Sequence, residues 1–203
     1  TFRCHSRSDC EKAVSLFKNR RPSGYHDGAP IAADTTQILA ESWVRGKEYS
    51  CDFLVHEGRA EIIRFTAKIS APSAPFGTTL GYELTSPPPE IASFSFTDQL
   101  SRAADALGIK QAICMVDFIV NDRGIFFLEM TPRIGGDCLP HLIRRIYGVD
   151  MLKLAVDYGR GMMPDSSLID DRKHGIGLRV FANKNGILQS IDTSELDRNP
   201  RIQ

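Results

Sequence analysis

Apolar positions recur along this chain in blocks that switch between helical and extended spacing. Behind a Ser8/Glu11 capping pair, Ala13, Val14, Leu16 and Phe17 follow at helical intervals and predict an amphipathic helix over 9–19. Residues 20–36 are rich in Pro, Gly, Asp and Ser without periodicity and read as a long loop closing a small first lobe. Residues 37–45, 48–56 and 59–69 are dense in strand formers, with Glu57-Gly58 as a hairpin turn, and predict an antiparallel meander. The stretch 71–89 holds Pro72, Pro75, Pro87, Pro88 and Pro89. It is expected to be neither a helix nor a central strand but a flexible loop over a site. Thr97 then caps a helix whose stripe of Leu100, Ala103, Ala104 and Leu107 stops at Gly108.

Strands at 112–120 and 125–130 follow. Leu139, Leu142, Ile143 and Ile146 mark a helix ending near Gly148, and Asp150 opens another that runs to about Gly159. The tail predicts strands at 175–182 and 187–192 around a turn at 184–186. Mixed strands and helices with hairpin connections make the chain α+β.

The hairpin carries the chemistry. If Asp122-Arg123-Gly124 is a three-residue loop, residue 121 pairs with 125 and Asp117 faces Glu129. The opposite face would then be Val116, Phe118, Val120, Phe126, Leu128 and Met130, entirely apolar, as a core face should be. Carboxylates so close repel unless a cation lies between them, and paired hard oxygens suit Mg²⁺ or Mn²⁺. The plainer alternative is two half-exposed sheet acids paired with nearby Lys or Arg. The continuation Thr131-Pro132-Arg133-Ile134-Gly135-Gly136 tilts the reading, because it places a guanidinium where it could bind an anion held by the metal.

Composition narrows the partners. Lys plus Arg equals Asp plus Glu at 25 each, so nothing suggests a nucleic-acid or anionic-membrane surface. With 203 residues, 42% of them hydrophobic, the chain can build one sizeable core or two small lobes. Five cysteines without a CxxC pair argue against a disulfide framework or a zinc knuckle, and a reducing cytoplasmic setting fits best. No apolar run approaches the roughly 18 residues of a membrane span, and no signal peptide is visible.

D117-F-I-V-N-D-R-G-I-F-F-L-E129-M-T-P-R133-I-G-G resembles the large-lobe signature of the ATP-grasp superfamily, and E41-S-W-V-R-G-K-E48-Y-S resembles its hinge pattern. Within the superfamily, GGDCLPHLIRRIYGVDMLKLAV and the HGIGLRVFANKNGIL tail are similar to the branch of L-amino-acid ligases and related carboxylate-amine ligases. The resemblance implies a large lobe built on an antiparallel sheet flanked by helices over 37–162. A remnant of the small lobe would occupy 1–36 and a β extension 163–203. The superfamily's Gly-rich phosphate loop and its preceding Lys are not seen ahead of Thr1, so the chain is expected to be the carboxy-terminal part of an enzyme whose amino-terminal lobe is its partner.

The resemblance also implies roles. Glu41 and the backbone around Trp43 and Val44 would meet adenine, and Glu48 the ribose hydroxyls of ATP. Lys68 would contact phosphate or substrate, and Asp117 and Glu129 would ligate Mg²⁺ (or Mn²⁺). Arg133 would hold the γ-phosphate and the developing acyl phosphate. Thr131 stands where the family has Asn, which leaves one hydroxyl for a second metal. Asp137 and His141 are candidates on the substrate side, His141 with a structural alternative. The implied activity is ADP-forming ligation of a small-molecule carboxylate to an amine through an acyl phosphate, in an enzyme of a type that commonly forms homodimers. A degenerate, non-catalytic nucleotide-binding lobe is the rival from another class. A biotin-carboxylase-type enzyme is the rival within the superfamily, although such enzymes continue differently after the Arg.

Overall fold

A computed structural model describes residues 3–19, 38–70, 78–92, 94–164, 174–179, 186–187 and 189–198. At its centre, six strands form one antiparallel sheet in the order β5-β4-β1-β2-β3-β6. They are β1 (Lys47–His56), β2 (Arg59–Ser70), β3 (Thr79–Leu84), β4 (Ala112–Asn121), β5 (Gly124–Thr131) and β6 (Gly175–Leu178). The helices are α1 (Arg7–Asn19), α2 (Pro89–Ala92), α3 (Phe96–Ala106), α4 (Leu139–Tyr147), α5 (Met151–Gly159) and α6 (Ser194–Asp197). No helix among the described residues is long and apolar enough to cross a membrane.

The two faces of the sheet bury different cores. On one, Tyr49, Cys51, Phe53 and Val55 of β1 join Phe65 of β2 and Val116 and Phe118 of β4, under Phe96, Leu100 and Ala104 of α3. Phe118 is fully buried there, its ring centroid 4.8 Å from that of Phe96 and 5.5 Å from that of Phe65. On the other face, Leu54, Ile63, Tyr82, Leu84 and Ile113 pack under Leu139 and Ile143 of α4 and Met151 and Tyr158 of α5. Strand alternation separates the cores: one side of β1 is apolar, while Glu48, Ser50 and Asp52 share the other side with Leu54.

Several expectations need correction. Residues 38–45 form no strand, so of the expected meander only the antiparallel β1–β2 pair is present; the second neighbour of β1 is β4, where Lys47 pairs with Val120 and Val55 with Ala112. Within the Pro-rich stretch, the proline-free run TLGYEL forms β3, an interior strand between β2 and β6, and Pro89 opens α2. The prolines punctuate the strand without entering it, so they forbid nothing inside it. Residues 71–77 lie outside the described residues, as do the loop over 20–36, positions 184 and 185 of the expected tail turn and positions 180–182 of the expected tail strand. The described positions of 187–192 form no strand.

Two caps also shift. Ser6, not Ser8, accepts from the Asp9 amide, and the Asp9 carboxylate accepts from the His5 amide, which moves the cap two residues earlier. Ser95, not Thr97, is the N-cap of α3, in a left-handed conformation without a side-chain hydrogen bond. Asp150 caps α5 as expected, accepting from the amides of Leu152 and Lys153.

Candidate functional site

The hairpin register differs from its expected route yet reaches the expected pairing. Asn121 pairs with Gly124 across a two-residue turn, Asp122-Arg123, and the ladder runs regularly to Phe118 opposite Phe127. A bulge then admits Leu128 as an extra residue, so that Asp117 faces Glu129. The core face of β5 is therefore Ile125, Phe127 and Met130 rather than Phe126, Leu128 and Met130. Leu128 is 44% exposed, as a bulged residue off the core should be.

Past the bulge, one polar row crosses the sheet: Glu129 on β5 pairs with Asp117 on β4, Asp117 with Ser50 on β1, and Ser50 with Thr66 on β2. Glu48 and Lys68 lie one alternation along β1 and β2 on the same face, and Thr131 one alternation along β5. The strands thus gather Glu48, Lys68, Asp117, Glu129 and Thr131 on one side.

Lys68 joins the acids. Its Nζ donates to Glu48 Oε1 at 2.5 Å and to Asp117 Oδ2 at 2.7 Å, with its side chain only 9% exposed. Burial pulls the ammonium down, but the hydrogen bonds to Asp117 and Glu48 outweigh it and hold the Lys68 pKa above its ordinary value. The charge is thereby fixed between two carboxylates that would otherwise repel.

Among the described residues, no group of three or more His, Cys, Asp or Glu could hold a metal by itself. The metal candidates on this face, Asp117, Glu129 and Thr131, supply two carboxylates and a hydroxyl. Thr131 Oγ1 is buried and has no hydrogen-bond partner, which is costly unless something outside the protein supplies one. An oxygen-preferring cation that completes its shell from phosphate and water suits a set this sparse, so the residues fit Mg²⁺ or Mn²⁺. Arg133 is exposed just past Thr131 and donates to the Ile134 carbonyl at 3.0 Å, which leaves most of its guanidinium available to an anion.

The hinge candidates stand apart. Glu41, Trp43 and Val44 lie on an irregular segment leading into β1, with Glu41 exposed, Val44 half-buried and Trp43 covered on one side by the Arg3 guanidinium, 4.3 Å from its ring centroid. Gly46 explains how the chain passes from this segment to Glu48: a Cβ there would collide with the Val120 carbonyl and, at 2.5 Å, with Ile119 Cγ2. The spacing Gly-x-Glu is thus set by close approach to β4. On the substrate side, Asp137 adopts a left-handed conformation (φ 60°) and pairs with Arg179 at 3.1 Å, while His141 is exposed on α4. Burial first, and the Asp137 charge second, push the Tyr82 hydroxyl pKa up.

Sequence reasoning missed Arg179 and, more consequentially, a buried cluster. Arg64 and Asp52 are 0% and 1% exposed, with Nε 2.9 Å from Oδ2. Arg64 also donates to the Ser50 carbonyl and hydroxyl, each at 3.0 Å, and to Thr66 Oγ1, while Asp52 Oδ1 accepts from the Gly135 amide at 2.8 Å. The signal was present: Glu48-x-Ser50-x-Asp52 and Arg64-x-Thr66-x-Lys68 are period-2 polar runs inside otherwise apolar strands.

A match to the ATP-grasp domain family covers residues 2–141. In sequence the chain is similar to carnosine synthase 1 of Gallus gallus, 28% identical over 165 residues, or 79% of this chain and 17% of that protein. In structure it is similar to N5-carboxyaminoimidazole synthase from Aspergillus clavatus, solved in complex with ADP (TM-score 0.61, 14% identity, 87% of this chain and 42% of the other). It is also similar to phosphoribosylglycinamide synthetase from Anaerococcus prevotii (TM-score 0.53, 19% identity, 73% and 38%). The chain spans less than half the length of each.

Proposed function

Because this chain belongs to the ATP-grasp domain family, we propose that its polar sheet face is the nucleotide and metal platform of an ADP-forming ligase that joins a carboxylate to an amine. The observation that carries the reading is the Asp117–Glu129 pair with the unpartnered Thr131 hydroxyl beside it and Arg133 just beyond. Similarity to carnosine synthase 1 supports the carboxylate-amine branch.

Asp117, Glu129 and Thr131 would hold Mg²⁺ or Mn²⁺, which offsets charge on phosphate oxygens when bound. Glu48 accepts hydrogen bonds from the ribose, and Glu41 with the backbone of Trp43 and Val44 meets the adenine. Arg133 offsets charge on the γ-phosphoryl group, and Lys68 keeps Glu48 and Asp117 from repelling each other and the nucleotide. A substrate carboxylate oxygen bonds to the γ-phosphorus as the bond to the β–γ bridging oxygen breaks, releasing ADP. The amine nitrogen then bonds to the acyl carbon as the carbon–oxygen bond breaks; phosphate leaves and the amine gives up a proton. Asp137 and His141 border the acyl group. We place the protein in the cytoplasm.

Hydroxylamine tests the intermediate. The full-length protein, given ATP, Mg²⁺ and the acid substrate without the amine, forms the hydroxamate of that acid. ADP formation that is acid-dependent but never yields hydroxamate contradicts the reading.

A further inference from the structure

Burying an ion pair as completely as Asp52–Arg64 returns little net stability, because desolvating both charges offsets their attraction. Its connections show what else it does. Arg64 ties β2 to β1 through the Ser50 carbonyl and hydroxyl, and Ser50 is the residue paired with Asp117. Asp52, held by Arg64 through one oxygen, uses the other to grip the Gly135 amide, 83 residues away in the chain. Gly135 lies two residues past Arg133. A Cβ at Gly135 would stand 2.5 Å from Arg64 Nη2 and 3.1 Å from Asp52 Oδ1, so the turn backbone is pressed directly onto the ion pair.

We infer that the Asp52–Arg64 pair is a positioning device that clamps the turn carrying Arg133 to the strands carrying Glu48, Lys68 and Asp117. Among the described residues Arg133 has no acidic partner, and its guanidinium donates to the neighbouring Ile134 carbonyl. Its place relative to Glu129 is therefore set by the backbone, and the backbone is anchored at Gly135. The clamp rests on the ligase reading for its purpose but not for its existence. A cationic side chain that must meet a transferring phosphoryl group tolerates little misplacement, and a shift of about 1 Å can cost about a hundredfold in rate.

The test uses the full-length protein with Gly135→Ala and Asp52→Asn, read by amide hydrogen exchange and by steady-state kinetics with Mg²⁺-ATP. Gly135→Ala keeps both charges of the pair, while its Cβ, 2.5 Å from Arg64 Nη2, forces the turn and the pair apart. Protection is expected to be lost over 130–138 and kept over 48–67, with kcat down about a hundredfold and KM for ATP little changed. Asp52→Asn should lose the same turn protection. If the wild type turns over no nucleotide, the ligase reading fails while the exchange data still decide the clamp. Unchanged exchange over 130–138 in Gly135→Ala, or loss spread equally over β1 and β2, overturns the inference. Unchanged kcat in a Gly135→Ala protein whose turn has lost protection overturns it as well.

Discussion

Asp117 faces Glu129 because β5 carries one residue more than β4 between the turn and the pair. In a regular ladder from the two-residue turn, Asp117 would meet Leu128, and Glu129 would point into the aromatic core. Deleting Leu128 should therefore leave Glu129 opposite Asp117, and metal-dependent nucleotide binding should survive. Under the three-residue loop that the sequence suggests, the same deletion would turn Glu129 to the wrong face. Calorimetry with Mg²⁺-ADP on the deletion variant separates the two.

Lys68→Met removes the cation between Glu48 and Asp117. With the ammonium gone, Asp117 is open to Mg²⁺, so the variant should bind the metal more tightly than wild type without nucleotide. Its melting temperature should fall at low ionic strength and recover on adding Mg²⁺. Equal Mg²⁺ affinity in the two proteins would contradict this arrangement.

The same residue sets a pH dependence. Its folded pKa lies above the unfolded 10.5, so its contribution to stability is complete below that value and is lost as pH rises through the folded pKa. Denaturant melts between pH 9 and 12 should show wild type losing stability on alkalinisation relative to Lys68→Met. Parallel curves would show that Lys68 is not coupled to its acids.

Thiol reactivity should divide four of the five cysteines. Burial raises the Cys51 thiol far above its ordinary pKa and pushes Cys114 up to about 11, whereas Cys4 and Cys10 are exposed. An aromatic disulfide reagent at neutral pH should label Cys4 and Cys10 in the native protein and leave Cys51 and Cys114 unlabelled until denaturant is added.

Phe118 tests the packing. It is fully buried among Tyr49, Phe65, Phe96 and Phe127, and Phe118→Ala should cost about 3–5 kcal/mol in denaturant melts. A loss below about 1 kcal/mol would mean that the core collapses around the gap.

How far the sequence carried these features depends on what kind of signal each one left. Strands β1, β2, β4 and β5, and helices α4 and α5, announced themselves through periodicity and caps such as Asp150. Strand β3 did not, because flanking prolines dominated a window whose middle holds none. Residues 38–45 have strand-forming side chains but no partner strand, since β4 takes the edge of β1, and pairing rather than propensity decides a strand. Asp117 and Glu129 were legible from the motif, but the bulge that joins them was not, because nothing in Phe126-Phe127-Leu128 says which residue steps out. The Asp52–Arg64 clamp left a period-2 polar pattern, yet its target at Gly135 is remote in sequence and visible only once the strands are assembled.

Nucleotide is proposed to bind this face through a metal held by Asp117 and Glu129. The deciding measurement is calorimetric titration of the full-length protein and its Glu129→Gln variant with ADP, in Mg²⁺ and in excess chelator. Binding by wild type in Mg²⁺ alone, and none by the variant in either condition, is the predicted result. Equal binding by the two proteins, or binding indifferent to the chelator, would contradict it.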